Sequence, residues 1–219
     1  MKPQNFKIRA SSCSKLMGAR GMGKTGEAYA KHWALSQYFG RTAEIQSKYL
    51  QKGIIMEEEA LDSIELTQNL GLVLKNETWF EGEFFTGTPD NIQSDFIIDV
   101  KCPCDWTIFP LYDVDVKIDY YWQMQCYMHL TGRKLAKVCF VLLDTPFHLI
   151  EKEARSYSFA NGYGELSQEM YESFVKKMTY SDIPIERRIK IFDIEADPEA
   201  VKKIIERVTD ARNYLETLK

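Results

Sequence analysis

Residues 87–103 read GTPDNIQSDFIIDVKCP, and their alternation decides how the chain is organised. Successive side chains of an extended strand point to opposite sides. Phe96, Ile98 and Val100 therefore share one face, and Ile97, Asp99 and Lys101 share the other. An acid and a lysine two residues apart point the same way from an otherwise apolar strand. The polar run 91–95 reads as a turn, so Asp90 ends the partner strand and can meet Asp99 across a hairpin. Two carboxylates and a lysine converging at a sheet end suit a hard divalent cation beside a reactive water. Taken alone, Asp-x-Lys is equally an ordinary ion pair on a half-exposed strand.

Working outward, LVLK at 72–75 and TWFEGEFFTG at 78–87 read as the strands before this one. Upstream, helices are expected over about 27–38 and about 42–66, the second broken near Gly53. In KGIIMEEEALDSI, 52–64, helical spacing places Glu57 over Ala60, Leu61 and Ile64, the inward stripe, and Glu59 on the solvent side. A carboxylate directed inward needs a partner, and a metal ion is one candidate.

Downstream, YYWQMQCYMHLTG at 120–132 reads as a helix ending at Gly132. Tyr120, Gln123 and Tyr127 form one polar-aromatic face, and Met124 and Met128 a neighbouring core stripe. That polar face suits hydrogen bonds to phosphates or to a catalytic lysine, and equally a satisfied buried network. AKVCFVLLD, 136–144, is a buried strand by its unbroken apolar run. A helix near 165–179, a strand at 188–194 and a closing helix over 198–218 complete an α/β pattern: helices flanking a central mixed sheet.

The length, 219 residues, suits one domain, divided here into an N-terminal helical and glycine-rich segment 1–52, a core 53–150 and a C-terminal helical segment 151–219. The formal net charge of −4 excludes a protein that clings to nucleic acid over its whole surface, but not one with a local positive groove. The five cysteines are scattered, and Cys102-Pro-Cys104 lacks the spacing of a zinc or redox pair. No apolar run is long enough to span a bilayer, and MKPQNFKIRA lacks a signal-peptide core. A cytoplasmic location with reduced thiols and no membrane partner is the expectation.

Taken in order, Gly53-x-x-x-Glu57-x-x-Ala60, Pro89-Asp90, Asp99-Val-Lys101-Cys-Pro and Tyr120-x-x-Gln123-x-Gln125 resemble the PD-(D/E)XK nucleases. More narrowly they look like the lambda-exonuclease and YqaJ-type viral recombinase branch, over roughly residues 8–145, and Gln123 with Tyr127 resembles the RecB-type nuclease motif. The resemblance implies a restriction-endonuclease-like core. It implies that Asp90, Asp99, the Val100 carbonyl and Glu57 bind Mg²⁺ or Mn²⁺, and that Lys101, with Gln123 beside it, positions or deprotonates the attacking water. It further implies an N-terminal grip on a DNA 5′ phosphate. Arg9, Ser11 and Ser12 in IRASSCSKLM are the candidates, although the arginine departs from the family's spacing. The implied activity is 5′→3′ exonucleolytic hydrolysis of linear duplex ends in phage-type recombination, with a single-strand annealing protein and a homo-oligomer as implied partners. The alternatives are an endonuclease of the same superfamily and a catalytically weak DNA-end-binding protein.

GARGMGKTG, 18–26, also fits the P-loop pattern of nucleotide hydrolases. A P-loop follows a buried strand, however, and SSCSKLM before it is too polar for one. The expectation is a glycine-rich connector, either offering Arg20 and Lys24 to DNA phosphates, as Tyr120 and Tyr127 would from the helix if they are not a satisfied buried network, or simply solvated.

Overall fold

The computed structural model describes residues 2–42 and 48–218, and the side chains of the second span from residue 51 onward. Strand β1 (Ile8–Arg9) runs into a 3-10 helix (Ala10–Leu16), followed by α1 (Gly23–Phe39) and α2 (Lys48–Gln68). Three short strands, β2 (Phe80–Glu81), β3 (Phe85–Gly87) and β4 (Asn91–Ile92), lead to β5 (Phe96–Lys101). Then come α3 (Ile118–Thr131), β6 (Leu135–Val141), α4 (Phe147–Ala160), α5 (Gln168–Met178), β7 (Ile189–Glu195) and α6 (Pro198–Glu216).

The expected mixed sheet is present but divided. One sheet orders β4-β5-β6-β7 and a smaller one orders β1-β3-β2. In the larger sheet β5 and β6 are parallel, Phe96 opposite Leu135 through Lys101 opposite Phe140, and α3 forms the crossover between them. β4 and β7 close the sheet antiparallel on either side.

The alternation of β5 feeds two separate cores. Ile97 joins Met124 and Met128 of α3 and Ile204 and Val208 of α6, whereas Ile98 and Val100 pack with Met56, Ala60, Leu61 and Ile64 of α2. Asp99 and Lys101 consequently project to the α3 side at the exposed end of the sheet. α3 ends where Gly132 takes φ 71°, the left-handed conformation that costs glycine least. Among the described residues no helix is long and apolar enough to cross a membrane, and all five cysteines are free thiols.

Several expectations need correction. Residues 72–75 do not join a ladder, because side chains take their backbone groups: Val73 N donates to Glu65 Oε2, and Leu74 O accepts from Asn91 Nδ2. TWFEGEFFTG forms two short strands, with Gly82 N turning back to Phe85 O between them. Asn91 and Ile92 are paired in β4, so Asp90 precedes the hairpin strand and the turn shrinks to residues 93–95. α2 passes through Gly53 unbroken, and its expected start at 42–47 falls partly outside the described residues. α4 was not foreseen, since its buried stripe is only Ile150, Ala154 and Ser158. The stretch GARGMGKTG follows the 3-10 helix rather than a strand, and α1 begins inside it at Gly23, which leaves the P-loop pattern without its structural context.

Candidate active site

The larger sheet's exposed end, α2, α3 and the loop after β5 enclose a cleft of about 360 Å³. Glu57, Asp90, Asp99, Val100, Lys101, Tyr120, Gln123, Tyr127 and Ser11 all line it. Extending the β4–β5 register by one residue from Asn91 opposite Ile98 puts Asp90 opposite Asp99. Val100 N donates to Asp90 Oδ2 at 2.7 Å, which orients that carboxylate toward the strand. Gln123 donates from Nε2 to Asp99 Oδ1 at 3.1 Å and to the Tyr127 hydroxyl at 3.2 Å. Tyr127 comes this close to the sheet because residue 87 is glycine: a Cβ there would stand 2.5 Å from Tyr127 Cε1.

The larger site is not uniformly assembled. Arg9 lies outside the cleft, its guanidinium 5.7 Å from the centre of the Trp79 ring. Ser12, Arg20 and Lys24 do not line it either; Arg20 and Lys24 are exposed. Gln125 is wholly buried and does structural work, donating to Glu195 O at 2.9 Å and accepting from Asp197 N at 2.8 Å. Asp197 in turn caps α6 by accepting from Glu199 N and Ala200 N.

The same architecture occurs in a phage-related exonuclease from Haemophilus somnus 129PT, with a TM-score of 0.79 and 30% sequence identity over 97% of this chain and 95% of that one. The chain belongs to the phage-related exonuclease family. It thereby falls in the PD-(D/E)XK viral-recombinase branch that the ordered motifs resemble. Two further structures share the fold at 20% identity, each over 96% of this chain and 88% of the other. They are the alkaline exonuclease LHK-Exo from Laribacter hongkongensis, with a TM-score of 0.67, and LHK-Exo in complex with dAMP, with 0.63. No protein-family model and no curated protein matches the sequence.

In this exonuclease-family chain the acids and lysines of the cleft are strongly coupled. Lys101 Nζ makes a close ion pair with Asp99 Oδ2 and lies 5.2 Å from the centre of the Tyr120 ring. Burial disfavours the Lys101 charge, but Asp99 and then Asp90 outweigh it and hold the proton on Nζ well above the usual lysine range. Asp90 is pushed up to about 8, first by burial and then by the charge of Asp99, against the pull of Lys101. Burial also raises the Cys102 thiol to about 12, so the neighbouring cysteine is no nucleophile at neutral pH.

Two observations bear on a cation. Asp99 Oδ2 is buried and accepts no hydrogen bond of proper geometry, its close contact with Lys101 being ionic. Asp90 beside it is pushed toward its neutral form, first by burial and then by the charge of Asp99. Two buried acids set side by side, with one lysine on Asp99, form an all-oxygen donor set, and such a set fits a hard divalent ion. Among the described residues, however, no three His, Cys, Asp or Glu side chains converge as placed. Glu57 Oε1 is engaged instead by Lys75 Nζ at 3.3 Å.

Three lysines near this site escaped the sequence reading. Lys117 lines the cleft just before α3. Lys75 lies in a segment read as a strand. Lys52 is fully buried and had a legible signal, because Lys52, Met56, Ala60 and Ile64 recur every four residues along the inward stripe of α2.

Proposed function

We propose that this exonuclease-family enzyme hydrolyses DNA phosphodiester bonds from the ends of linear duplex, in the 5′→3′ sense, with Mg²⁺ or Mn²⁺. The observation that carries the reading is the buried Asp99–Lys101 pair facing Asp90 in an open cleft, in a chain 30% identical to a phage-related exonuclease. Asp90, Asp99 and the Val100 carbonyl would hold the cation, with Glu57 as the further ligand. When bound, such an ion offsets charge developing on the phosphoryl oxygens and makes water easier to deprotonate.

The chain's own residues supply the rest. Lys101 enters as an ammonium, a donor and a positive charge aimed at the reacting phosphate and the attacking water. Gln123 fixes Asp99, and through it Lys101, by a bond that leaves Asp99 Oδ2 free of other donors. Tyr120 walls one side of Lys101 and limits its rotamers. Ser11 is the N-terminal hydroxyl that reaches the cleft and is suited to a terminal phosphate.

The test is digestion of end-labelled linear duplex in Mg²⁺ beside a covalently closed circle. Loss of the linear DNA alone, stopped by EDTA, supports an end-dependent enzyme, and release of the 5′ label first supports the polarity. Cleavage of the circle rules out a strict exonuclease.

Cation binding should be linked to protons. Asp90 retains a proton up to about pH 8 and must release it to act as a ligand. Calorimetry in buffers of different ionisation heat should show about one proton released per cation at pH 7 and almost none at pH 9.5. Equal release at both values would remove Asp90 from the ligand set.

A further inference from the structure

The extended segment between α2 and β2 is nailed down beside the cleft. Asn76 N donates to Asp90 O at 2.7 Å, and its side-chain amide donates to Pro89 O at 2.9 Å. Val73 N and Leu74 O are held by Glu65 and Asn91 as described above. A backbone fixed to the Pro89-Asp90-Asn91 segment keeps Lys75 within reach of α2, where its Nζ lies 3.3 Å from Glu57 Oε1 and 3.7 Å from Glu58 Oε1. The Glu57 and Lys75 side chains are both partly buried, whereas that of Glu58 is 76% exposed. Burial disfavours the charge on Lys75, but the bond to Glu57 and the charges of Glu57, Glu58 and Glu77 more than restore it.

The charges of the cleft show what this contact does. Lys101 balances Asp99, Lys75 balances Glu57, and Asp90 takes the backbone N–H of Val100. Glu57 lines the same cleft as Asp90 and Asp99, so leaving it uncompensated would add an unpaired carboxylate to that cluster. With a divalent ion bound, three carboxylates are balanced by that ion and Lys101. The charge of Lys75 is then surplus.

We propose that Lys75 is a place-holder for the divalent cation: it neutralises Glu57 while no cation is bound, must yield that carboxylate when one binds, and so sets the affinity of the site. This rests on the cation reading above. It makes Lys75 a positioning residue of the binding step, and once released its ammonium stands beside the cleft, available to a substrate phosphate.

The test is calorimetric titration of the full-length protein with Mn²⁺ and Mg²⁺, without DNA, so that activity plays no part. Lys75→Met should bind the ion about three- to tenfold more tightly, the scale of a partly exposed ion pair, and Lys75→Arg should stay close to the wild type. Asp99→Asn marks the site, because heat that survives it comes from ions bound elsewhere. Unchanged or weaker binding by Lys75→Met, with wild-type binding intact, overturns the place-holder and leaves the nuclease reading standing. A wild type that binds neither ion at millimolar concentration overturns the cation reading, and this inference with it.

Discussion

Alanine at Lys101 should lower turnover on linear duplex by about 10³-fold, the scale of losing a positioned charge and proton donor at a reacting phosphate. Lys101 is the cation on the inner face of β5, and no other lysine pairs with Asp99 among the described residues. The loss should fall on kcat in single-turnover digestion at saturating Mg²⁺, because Lys101 acts on the reacting group rather than on the length of the bound duplex. Cation affinity, measured separately, should hold or increase, since the substitution removes positive charge from between two carboxylates. That pairing of results separates a chemical role from a misfolded site. A variant within tenfold of the wild-type rate would move the chemistry away from this residue.

Methionine at Lys52 should cost about 3 kcal/mol of stability at pH 7, read from urea unfolding. Lys52 is 0% exposed, and its ammonium donates to Pro103 O and Leu143 O at 2.7 Å each and to Cys104 O at 3.4 Å. It thus ties α2 to both the loop leaving β5 and the segment leaving β6. Methionine fills the space and strands the carbonyls of Pro103 and Leu143, whose loss of donors is what costs stability, whereas Cys104 O keeps the Thr145 hydroxyl. The penalty should be larger at pH 9.5 than at pH 7. Burial lowers Lys52 to about 8 from an unfolded value of 10.5, against the attraction of Cys102, Cys104, Asp144 and Asp105. Between those two values the unfolded chain binds the extra proton, so the wild type gains stability with pH there, and the variant lacks that gain. Comparing the two proteins cancels the opposing drift from buried thiols such as Cys102 and Cys139, whose raised values cost stability as pH climbs past 9. A penalty that shrinks with pH would mean that Lys52 is not the titrating group.

Elements whose side chains repeat with a short period were legible in the amino-acid sequence. Residues 96–101 show their two faces because a strand alternates every residue, and that alternation alone sends Ile98 and Val100 to one core and Asp99 and Lys101 to the other side. The stripe of α2 placed Glu57 over Ala60, Leu61 and Ile64, and the face of α3 grouped Tyr120, Gln123 and Tyr127, because helical neighbours lie three and four residues apart. The tertiary structure decided everything that depends on partners distant in the chain. Residues 72–75 have the composition of a strand, yet Glu65 and Asn91 take their hydrogen bonds, and no local pattern records that competition. Ser11 enters the cleft while Arg9, two residues earlier, turns to Trp79, since the pairing of β1 with β3 orients that segment. The partner of Glu57 was the least legible feature of all. Lys75 is eighteen positions further along the chain, and the segment at Pro89 and Asp90, to which Asn76 is bonded, brings the two charges together.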